Sequence, residues 1–178
     1  MKFENITLRR LKDNNSDYKL LEKWYQQEEI YLYFEQRKLN LEEIKRKYYP
    51  RTLDNSDIPV YMIEYKNMPI GIIQYQLVNE ENMKFYKVNN DNCYEIDIFI
   101  GELNYHGMGI GMKSIGIISN YLLNKMNASI LIMCPLKENE NAIKCYLKSG
   151  FKIKDKYISE DTIGVLHEYV LMIKELGD

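Results

Sequence analysis

The sequence has little of what metal-binding, secreted and membrane-spanning proteins depend on. Its three cysteines, Cys93, Cys134 and Cys145, form no CxxC pair, and its two histidines, His106 and His167, are far apart. We therefore expect neither a metal site nor a disulfide framework, and we expect reduced thiols. No apolar run approaches the roughly 20 residues of a membrane span, and the charged N-terminus has no signal-peptide core. These absences predict a soluble, cytoplasmic protein with no membrane partner.

The charges are nearly balanced, with 24 Lys and Arg against 26 Asp and Glu and a formal net charge of -2. Nucleic-acid binding normally needs a basic face, so we expect no nucleic-acid partner and favour a small cationic substrate. A chain of 178 residues is most simply one domain. Ile, Asn, Lys and Tyr are abundant while only two alanines occur, a composition that suggests an AT-rich bacterial genome.

The hydrophobic pattern predicts one α/β domain with a mixed sheet. For residues 1–78 it predicts a strand at 3–11, a helix capped by Ser16, a helix over 27–36, a helix from Asn40 stopped by Pro50, and a hairpin of strands 59–65 and 70–77. Residues 79–92 are predicted as a loop. For 93–178 it predicts strands at 94–100, 129–134, 151–158 and 165–173 and helices over 110–126 and 139–148.

A glycine-rich loop, His106-Gly107-Met108-Gly109-Ile110-Gly111, precedes the long helix. Glycines at alternate positions let backbone N–H groups converge on an anion, and the helix N-terminus adds partial positive charge, which suits a pyrophosphate. The spacing is not the Rossmann GxGxxG, and no Gly-Lys-Ser/Thr of a Walker loop follows. Taken alone, a glycine turn that serves packing stays an alternative.

The loop resembles the pyrophosphate loop of the GNAT superfamily of acyl-CoA-dependent N-acyltransferases, which reads Gln/Arg-x-x-Gly-x-Gly/Ala. Gly109 and Gly111 match this pattern, and His106 stands where the family prefers Gln or Arg. Residues 139–151 resemble a second hallmark, Asn-x-x-Ala-x-x-x-Tyr-x-x-x-Gly-Phe. Both motifs occur in the family's order, separated by one helix and one strand.

The resemblance implies a single GNAT-like α/β domain with a mixed, mostly antiparallel sheet, splayed central parallel strands and flanking helices. It implies that residues 1–78 form acceptor-site helices and a hairpin, and that 93–178 hold acetyl-CoA and the C-terminal strands. The expected acetyl-CoA contacts are Ile98, Phe99, Ile100, His106, Gly107, Met108, Gly109, Ile110, Gly111, Met112, Asn139, Ala142 and Tyr146.

The resemblance covers nearly the whole chain and points to the aminoglycoside 6′-N-acetyltransferases, which acetylate polycationic aminosugar antibiotics and confer resistance. It is carried by residues 21–24, 63–71, 74, 96–102, 104–105 and 142–151. Cys134 departs from the pattern, because it ends its strand where these enzymes commonly place an aspartate. One acidic contact expected of the family is therefore missing at that position.

Charge supports a cationic acceptor independently of the resemblance. Residues 80–104 contain six acids, Asp91 among them, against two lysines, which would concentrate a multi-amine ligand. Asp97 lies on a predicted strand and is costly to bury without a partner; the resemblance implies that it faces the acceptor amine. The expected acceptor contacts are Trp24, Gln74, Tyr75, Glu80, Glu95, Asp97, Cys134, Glu160 and Asp161.

The predicted reaction is a direct attack of the amine on the thioester in a ternary complex. Alkylammonium groups have a pKa near 10 and must lose a proton first. Asp97 would take that proton, a backbone N–H near Ile98 would polarise the thioester carbonyl, and Tyr146 would protonate the leaving thiolate. No cysteine nucleophile is needed.

Two alternatives stay open. Within the same fold, the acceptor is a polyamine, a protein N-terminus or another small amine. In another class, the chain is a non-catalytic acyl-CoA- or antibiotic-binding module; His106 and Cys134 favour this, and Asp97, Asn139 and Tyr146 oppose it. The sequence is compatible with a monomer or a homodimer.

Overall fold

A computed structural model of the chain describes residues 2–3, 5–89, 92–161 and 164–177. The helices are α1 (Asn15–Tyr25), α2 (Glu28–Phe34), α3 (Leu41–Thr52), α4 (Glu80–Tyr86), α5 (Ile110–Met126) and α6 (Glu140–Lys148). The strands are β1 (Lys2–Phe3), β2 (Ile6–Arg10), β3 (Val60–Tyr65), β4 (Met68–Leu77), β5 (Cys93–Ile100), β6 (Ile130–Met133), β7 (Lys152–Glu160) and β8 (Leu166–Glu175). In these ranges no helix combines the length and the apolar character that crossing a membrane requires.

The strands form one sheet in the order β1-β2-β3-β4-β5-β6-β8-β7. Neighbouring strands are antiparallel except β5 and β6, which are parallel. The pairing of β5 with β6 runs from Cys93 opposite Ile130 to Glu95 opposite Ile132, and residues 96–100 of β5 continue beyond it. The expected mixed, mostly antiparallel sheet with splayed central parallel strands is confirmed.

The side chains of β5 divide between the two faces of the sheet, because successive residues of a strand point to opposite sides. Tyr94 and Ile96 belong to the core cluster that contains the buried face of α5. Phe99 belongs to the cluster formed with α1–α3, and Cys93 to a smaller cluster that includes Tyr86 of α4. Alternation therefore puts Glu95 and Asp97 on the face covered by α1–α4.

The two helices that carry the hallmark motifs begin where the sequence predicts. Gly109 precedes α5 in the left-handed conformation, with φ +74°. Asn139 caps α6, since its side-chain oxygen accepts a hydrogen bond from the N–H of Ala142 at 3.1 Å. Gly150, with φ +90°, follows the last turn of α6. The ends of these helices thus follow from local backbone chemistry.

Three local predictions are wrong. Asn14, not Ser16, caps α1 through its bond to the N–H of Asp17. α3 continues through Pro50 to Thr52, because a proline so near the C-terminus disturbs only the last turn. Residues 80–86, predicted as part of a loop, form α4, which is capped by Asn79 and buries Tyr86. Asp91, counted among the acids of this stretch, lies outside the described residues.

Candidate active site

A cleft opens where β5 and β6 diverge. Its volume, including the mouth, is about 500 Å³, and α2, β5, α6 and the end of β6 contribute its walls. The lining residues are Glu29, Ile30, Tyr33, Phe34, Ile96, Asp97, Ile98, Phe99, Met133, Cys134, Pro135, Asn139 and Tyr146. The structure therefore brings together six of the expected site residues, Asp97, Ile98, Phe99, Cys134, Asn139 and Tyr146.

The α2 wall of the cleft was missed by the sequence analysis. Glu29, Tyr33 and Phe34 lie in the cleft wall, while the sequence shows only that they belong to a short helix. The ring of Phe34 meets the ring of Phe99 edge to face, with 5.0 Å between centroids. This tertiary contact, which no local pattern signals, brings α2 over the end of β5.

Asp97 is held by a chain of hydrogen bonds that reaches α3. Gln74 lies directly opposite Asp97 on β4, and its Nε2 donates to Asp97 Oδ2 at 2.8 Å. Its Oε1 accepts from Nη1 of Arg51 at 2.7 Å. Since Gln74 is only 6% exposed, its two partners fix the orientation of its amide. Gln74 thus contacts the carboxylate of Asp97, and Arg51 is a site residue for which the sequence gave no signal.

Glu95 lies two positions before Asp97 on the same face of β5. Its Oε2 accepts from Nε2 of Gln76 at 3.0 Å, and its Oε1 accepts from the hydroxyl of Tyr86 at 3.3 Å. Burial, followed by the charge of Asp97, raises the pKa of Glu95 to about 7. Close to neutral pH, this carboxyl group therefore changes charge.

Cys134 occupies the position at which the family resemblance implies an aspartate. Burial, followed by the charge of Glu95, raises the pKa of its thiol to about 12. The side chain is therefore a neutral thiol at physiological pH, which is neither a nucleophile nor a counter-charge for a cationic ligand.

Tyr146 contributes a buried phenol from α6 to the same cleft. Tyr146 is only 8% exposed. Burial raises the pKa of its phenol, and the neighbouring Cys145, Asp97 and Cys134 raise this pKa further. The phenol therefore keeps its proton at neutral pH. A carboxylate at Asp97 and a proton donor at Tyr146 thus lie in one cleft.

The loop before α5 offers backbone N–H groups in open space. The helical hydrogen bonds begin with the N–H of Lys113, which donates to the carbonyl of Gly109 at 3.1 Å; the amides before it have no acceptor within the helix. Gly107 and Gly109 have φ of +76° and +74°, and a Cβ at either would meet nothing within 4 Å. His106 Nε2 lies 2.6 Å from the carbonyl oxygen of Ile100, which ties the loop to the end of β5.

The remaining expected cofactor contacts lie close to this loop, with different exposures. Met108 and Met112 are exposed, whereas Ile110 is buried in the core, so that only its backbone faces the loop. Ala142 is partly buried against the same core. Gly111 lies over α6, because a Cβ there would be 3.5 Å from Sγ of Cys145.

Two expected acceptor contacts do not reach the cleft, and their assignment is corrected. Trp24 is 0% exposed. Its ring meets the ring of Phe99 edge to face, with 6.0 Å between centroids, and its Nε1 donates to Glu102 at 2.9 Å. Tyr75 alternates with Gln74 along β4 and so lies on the other face of the sheet, stacked on Tyr61. Both side chains belong to the core.

Glu95 and three further expected acids lie outside the residues that line the cleft. Glu80 is exposed in the first turn of α4. Glu160 ends β7 and is exposed, while Asp161 accepts hydrogen bonds from the N–H of Val165 and from His167. Over the described ranges, no group of three or more His, Cys, Asp or Glu side chains is arranged to hold a metal ion.

Comparisons with known proteins agree with this architecture. The profile of the acetyltransferase (GNAT) domain matches residues 13–157. Aminoglycoside N(6′)-acetyltransferase type 1 of Klebsiella pneumoniae is 23% identical over 152 residues, 84% of this chain and 75% of that protein. The structure of AAC(6′)-Ib with paromomycin and acetyl-CoA has a TM-score of 0.79 at 20% identity, covering 97% of this chain and 94% of that one. Spermidine N-acetyltransferase of Vibrio cholerae with CoA and spermine has a TM-score of 0.76 at 20% identity, covering 96% and 95%.

Proposed function

The chain belongs to the acetyltransferase (GNAT) family, and from this premise we propose that it transfers the acetyl group of acetyl-CoA to the 6′-amine of an aminoglycoside. The observation that carries the proposal is a single cleft with the Asp97 carboxylate, the protonated Tyr146 phenol and the stretch of β5 that no longer pairs with β6. The relative from Klebsiella pneumoniae, which is named for this activity, supports the choice of acceptor.

Acetyl-CoA is the co-substrate of the proposed reaction and supplies the thioester. The free amides of the α5 N-terminus and the open space at Gly107 and Gly109 suit its pyrophosphate. Residues 98–100 of β5, which extend past the last pair with β6, offer backbone groups to the pantetheine arm. Asn139 lines the cleft at the start of α6 and would contact the same arm.

The proposed chemistry divides between two side chains. Asp97 attracts the acceptor ammonium and takes its proton, directly or through a water molecule. The neutral nitrogen then attacks the thioester carbonyl carbon, so that a C–N bond forms and the C–S bond breaks. Tyr146 donates its proton to the departing sulfur. The nitrogen loses a second proton as the amide forms, and this proton reprotonates the phenolate through solvent, while the proton held by Asp97 is released to solvent. The N–H of Ile98 stabilises the negative charge that develops on the carbonyl oxygen.

A polyamine is the second candidate acceptor. Glu95 and Asp97 stand two positions apart on one face of β5, and such a row of carboxylates suits a linear chain of ammonium groups. The likeness to the spermidine N-acetyltransferase fold is compatible with this acceptor. We further propose a cytoplasmic location, because Cys93, Cys134 and Cys145 form no disulfide bond in the described part of the chain.

The test is mass spectrometry of the products formed from acetyl-CoA and a panel of amines. The panel contains kanamycin-type aminoglycosides with and without a 6′-amine, spermidine and short peptides. One added acetyl group on the 6′-amino compounds alone is expected. Acetylated spermidine or peptide alone would replace the proposed acceptor, and bound acetyl-CoA without any product would favour a binding module.

The role of Asp97 is tested with the Asp97→Asn variant. We expect turnover to fall by about 10²–10⁴-fold, the usual contribution of a proton-transfer residue, while acetyl-CoA affinity changes little. Glu81→Gln, which removes an exposed charge on α4, is the control. Wild-type turnover in Asp97→Asn would exclude this carboxylate as the proton acceptor.

A further inference from the structure

His106 makes a contact that fixes where its ring carries a hydrogen. Its Nε2 lies 2.6 Å from the carbonyl oxygen of Ile100, and a carbonyl oxygen can only accept a hydrogen bond. Nε2 is therefore the donor, whether the ring is neutral or protonated. Because the side chain is exposed, this bond runs along the surface from the glycine-rich loop to the end of β5.

The carbonyl group of Ile100 points toward the gap between β5 and β6. At one end of the β4–β5 ladder the N–H of Gly101 donates to the carbonyl of Ile70 at 2.7 Å, and at the other end the N–H of Val78 donates to the carbonyl of Cys93 at 2.9 Å. Hydrogen-bonded pairs alternate along an antiparallel ladder. The odd-numbered residues of β5 therefore bond to β4, and the backbone groups of the even-numbered residues, Ile100 among them, point to the opposite side.

The bond from His106 takes one of the four backbone groups that face this gap. β5 pairs with β6 from Cys93 to Glu95, so the even-numbered residues Ile98 and Ile100 lie beyond the last pair. The carbonyl of Ile100 accepts from His106. The N–H and the carbonyl of Ile98 and the N–H of Ile100 are left for the pantetheine arm that is proposed to lie there.

The connection between the strand and the loop is short. A single 3₁₀ turn, Leu103–Tyr105, joins them, and the N–H of His106 donates to the carbonyl of Leu103 at 3.0 Å. The side-chain bond to Ile100 closes residues 100–106 into a ring. Gly107 follows at once, and glycine adopts either sign of φ readily, so this bond restricts the point from which the flexible part of the loop starts.

A histidine can replace a glutamine in this bond. In both side chains Nε2 is separated from Cβ by two intervening atoms and can carry a hydrogen. The loop resembles a pattern that has Gln or Arg at the position of His106, and these side chains are N–H donors as well. The departure from the pattern therefore preserves the type of group that reaches the end of β5.

We propose that His106 is a positioning residue for acetyl-CoA, because its bond to Ile100 holds the loop proposed for the pyrophosphate at a fixed separation from the backbone groups proposed for the pantetheine arm. This inference rests on the proposed use of acetyl-CoA and does not depend on the acceptor. The two parts of the ligand are covalently joined, so both bind well only when their two subsites are held at the matching distance.

The experiment compares the dissociation constants of two ligands by calorimetry: coenzyme A, and adenosine 3′-phosphate 5′-diphosphate, which is coenzyme A without its pantetheine arm. His106→Leu removes the donor and His106→Gln keeps one. His167→Leu, which removes the other histidine, on β8, is the control. We expect His106→Leu to weaken coenzyme A about fivefold, the effect of one lost hydrogen bond, and the nucleotide by less than about twofold. His106→Gln and His167→Leu should bind both ligands as the wild type does.

The nucleotide separates positioning from a simpler role. An equal loss of affinity for both ligands in His106→Leu would mean that the side chain serves the nucleotide alone, and it would overturn the inference. Unchanged or tighter binding of coenzyme A in His106→Leu, or an equal loss in His106→Gln, would overturn it too. A wild type that binds no coenzyme A would reject the proposed function together with the inference, whereas the other contrary results leave the proposed function intact.

Discussion

At the scale of single residues, the Asp97 carboxylate owes its orientation to two side chains outside its own strand. Gln74 donates to it, and Arg51 fixes which end of the Gln74 amide does so. Without Arg51, Gln74 Oε1 would lose its donor, and only Asp97 would hold the amide. We therefore expect Arg51 to act as a positioning residue through Gln74.

We expect Arg51→Met to lower kcat about tenfold, because a charge-assisted hydrogen bond of roughly 1.5–3 kcal/mol is lost. The KM for acetyl-CoA should stay the same, because Arg51 contacts Gln74 and none of the proposed acetyl-CoA contacts. Arg46→Met on the exposed side of the same helix is the control. Steady-state rates at several pH values, below the melting temperatures of both variants, give the comparison; equal effects of the two changes would remove Arg51 from this role.

The raised pKa of Glu95 predicts a pH-dependent cost to folding. An acid with a folded-state pKa of about 7 and a lower unfolded value binds more protons when folded, so stability falls as pH rises between the two values. Glu95→Gln cannot lose a proton there. We expect this variant to be more stable than wild type by about 2–3 kcal/mol at pH 8 and by little at pH 4. Urea denaturation at both pH values measures this, and an equal difference at both would contradict it.

At the scale of elements, the glycines of α5 differ in what they contribute. Gly109 has φ +74° at the helix start, whereas Gly116 lies within the helix with open space around it. Gly109→Ala should cost about 1–2 kcal/mol, since a side chain disfavours this conformation, and should weaken acetyl-CoA binding. Gly116→Ala should instead stabilise by about 0.5–1 kcal/mol.

Thermal melting and acetyl-CoA titration of these two variants separate the effect of backbone conformation from the effect of added volume. Both substitutions add one methyl group to open space, and only Gly109 has a positive φ. The same direction of change in stability for both would mean that the conformation of Gly109 does not matter. Unchanged acetyl-CoA affinity in Gly109→Ala would remove the loop from the proposed pyrophosphate site.

Elements with strong local signals could be predicted from the sequence. α5 and α6 begin at a positive-φ glycine and at an Asn cap, and such ends are encoded within a few residues. α4 was missed because its first turn is polar and its stability comes from Tyr86, which packs near Tyr157 of a distant strand. Likewise, the face on which Tyr75 lies follows from the register of β4, which the sequence did not fix.

At the scale of the whole molecule, the helical layer α1–α3 joins the end of β5 through a small set of contacts. Trp24 packs on Phe99 and donates to Glu102, and Gln27 donates to the carbonyl of Gly101. A Cβ at Gly101 would lie 2.3 Å from the Trp24 ring. This junction sets the position of α2, and hence one wall of the cleft.

Replacing Trp24 should therefore affect both stability and the acceptor site. We expect Trp24→Ala to cost about 3–5 kcal/mol, and Trp24→Phe to cost less, because an aromatic ring still meets Phe99. Circular dichroism during urea unfolding measures both values. If Trp24→Phe is as destabilising as Trp24→Ala, the hydrogen bond to Glu102 and not the ring packing holds this junction.

The candidate site could be predicted in part for the same reason as the helices. Asp97, Asn139 and Tyr146 lie in stretches that resemble the family, so the sequence predicts them as site residues, and the cleft brings them together. Arg51 and the α2 wall depend on how layers pack. The sequence signals the groups that do chemistry more readily than those that orient them.

The gap beyond Glu95 and Ile132, where β5 and β6 part, has a consequence for the order in which the two substrates arrive. In the proposed reaction both substrates enter the same cleft, with the acetyl donor along residues 98–100 of β5 and the amine between Asp97 and the α2 wall. Since neither proposed position is formed by the other substrate, we expect random addition, which initial rates at varied concentrations of both substrates would measure.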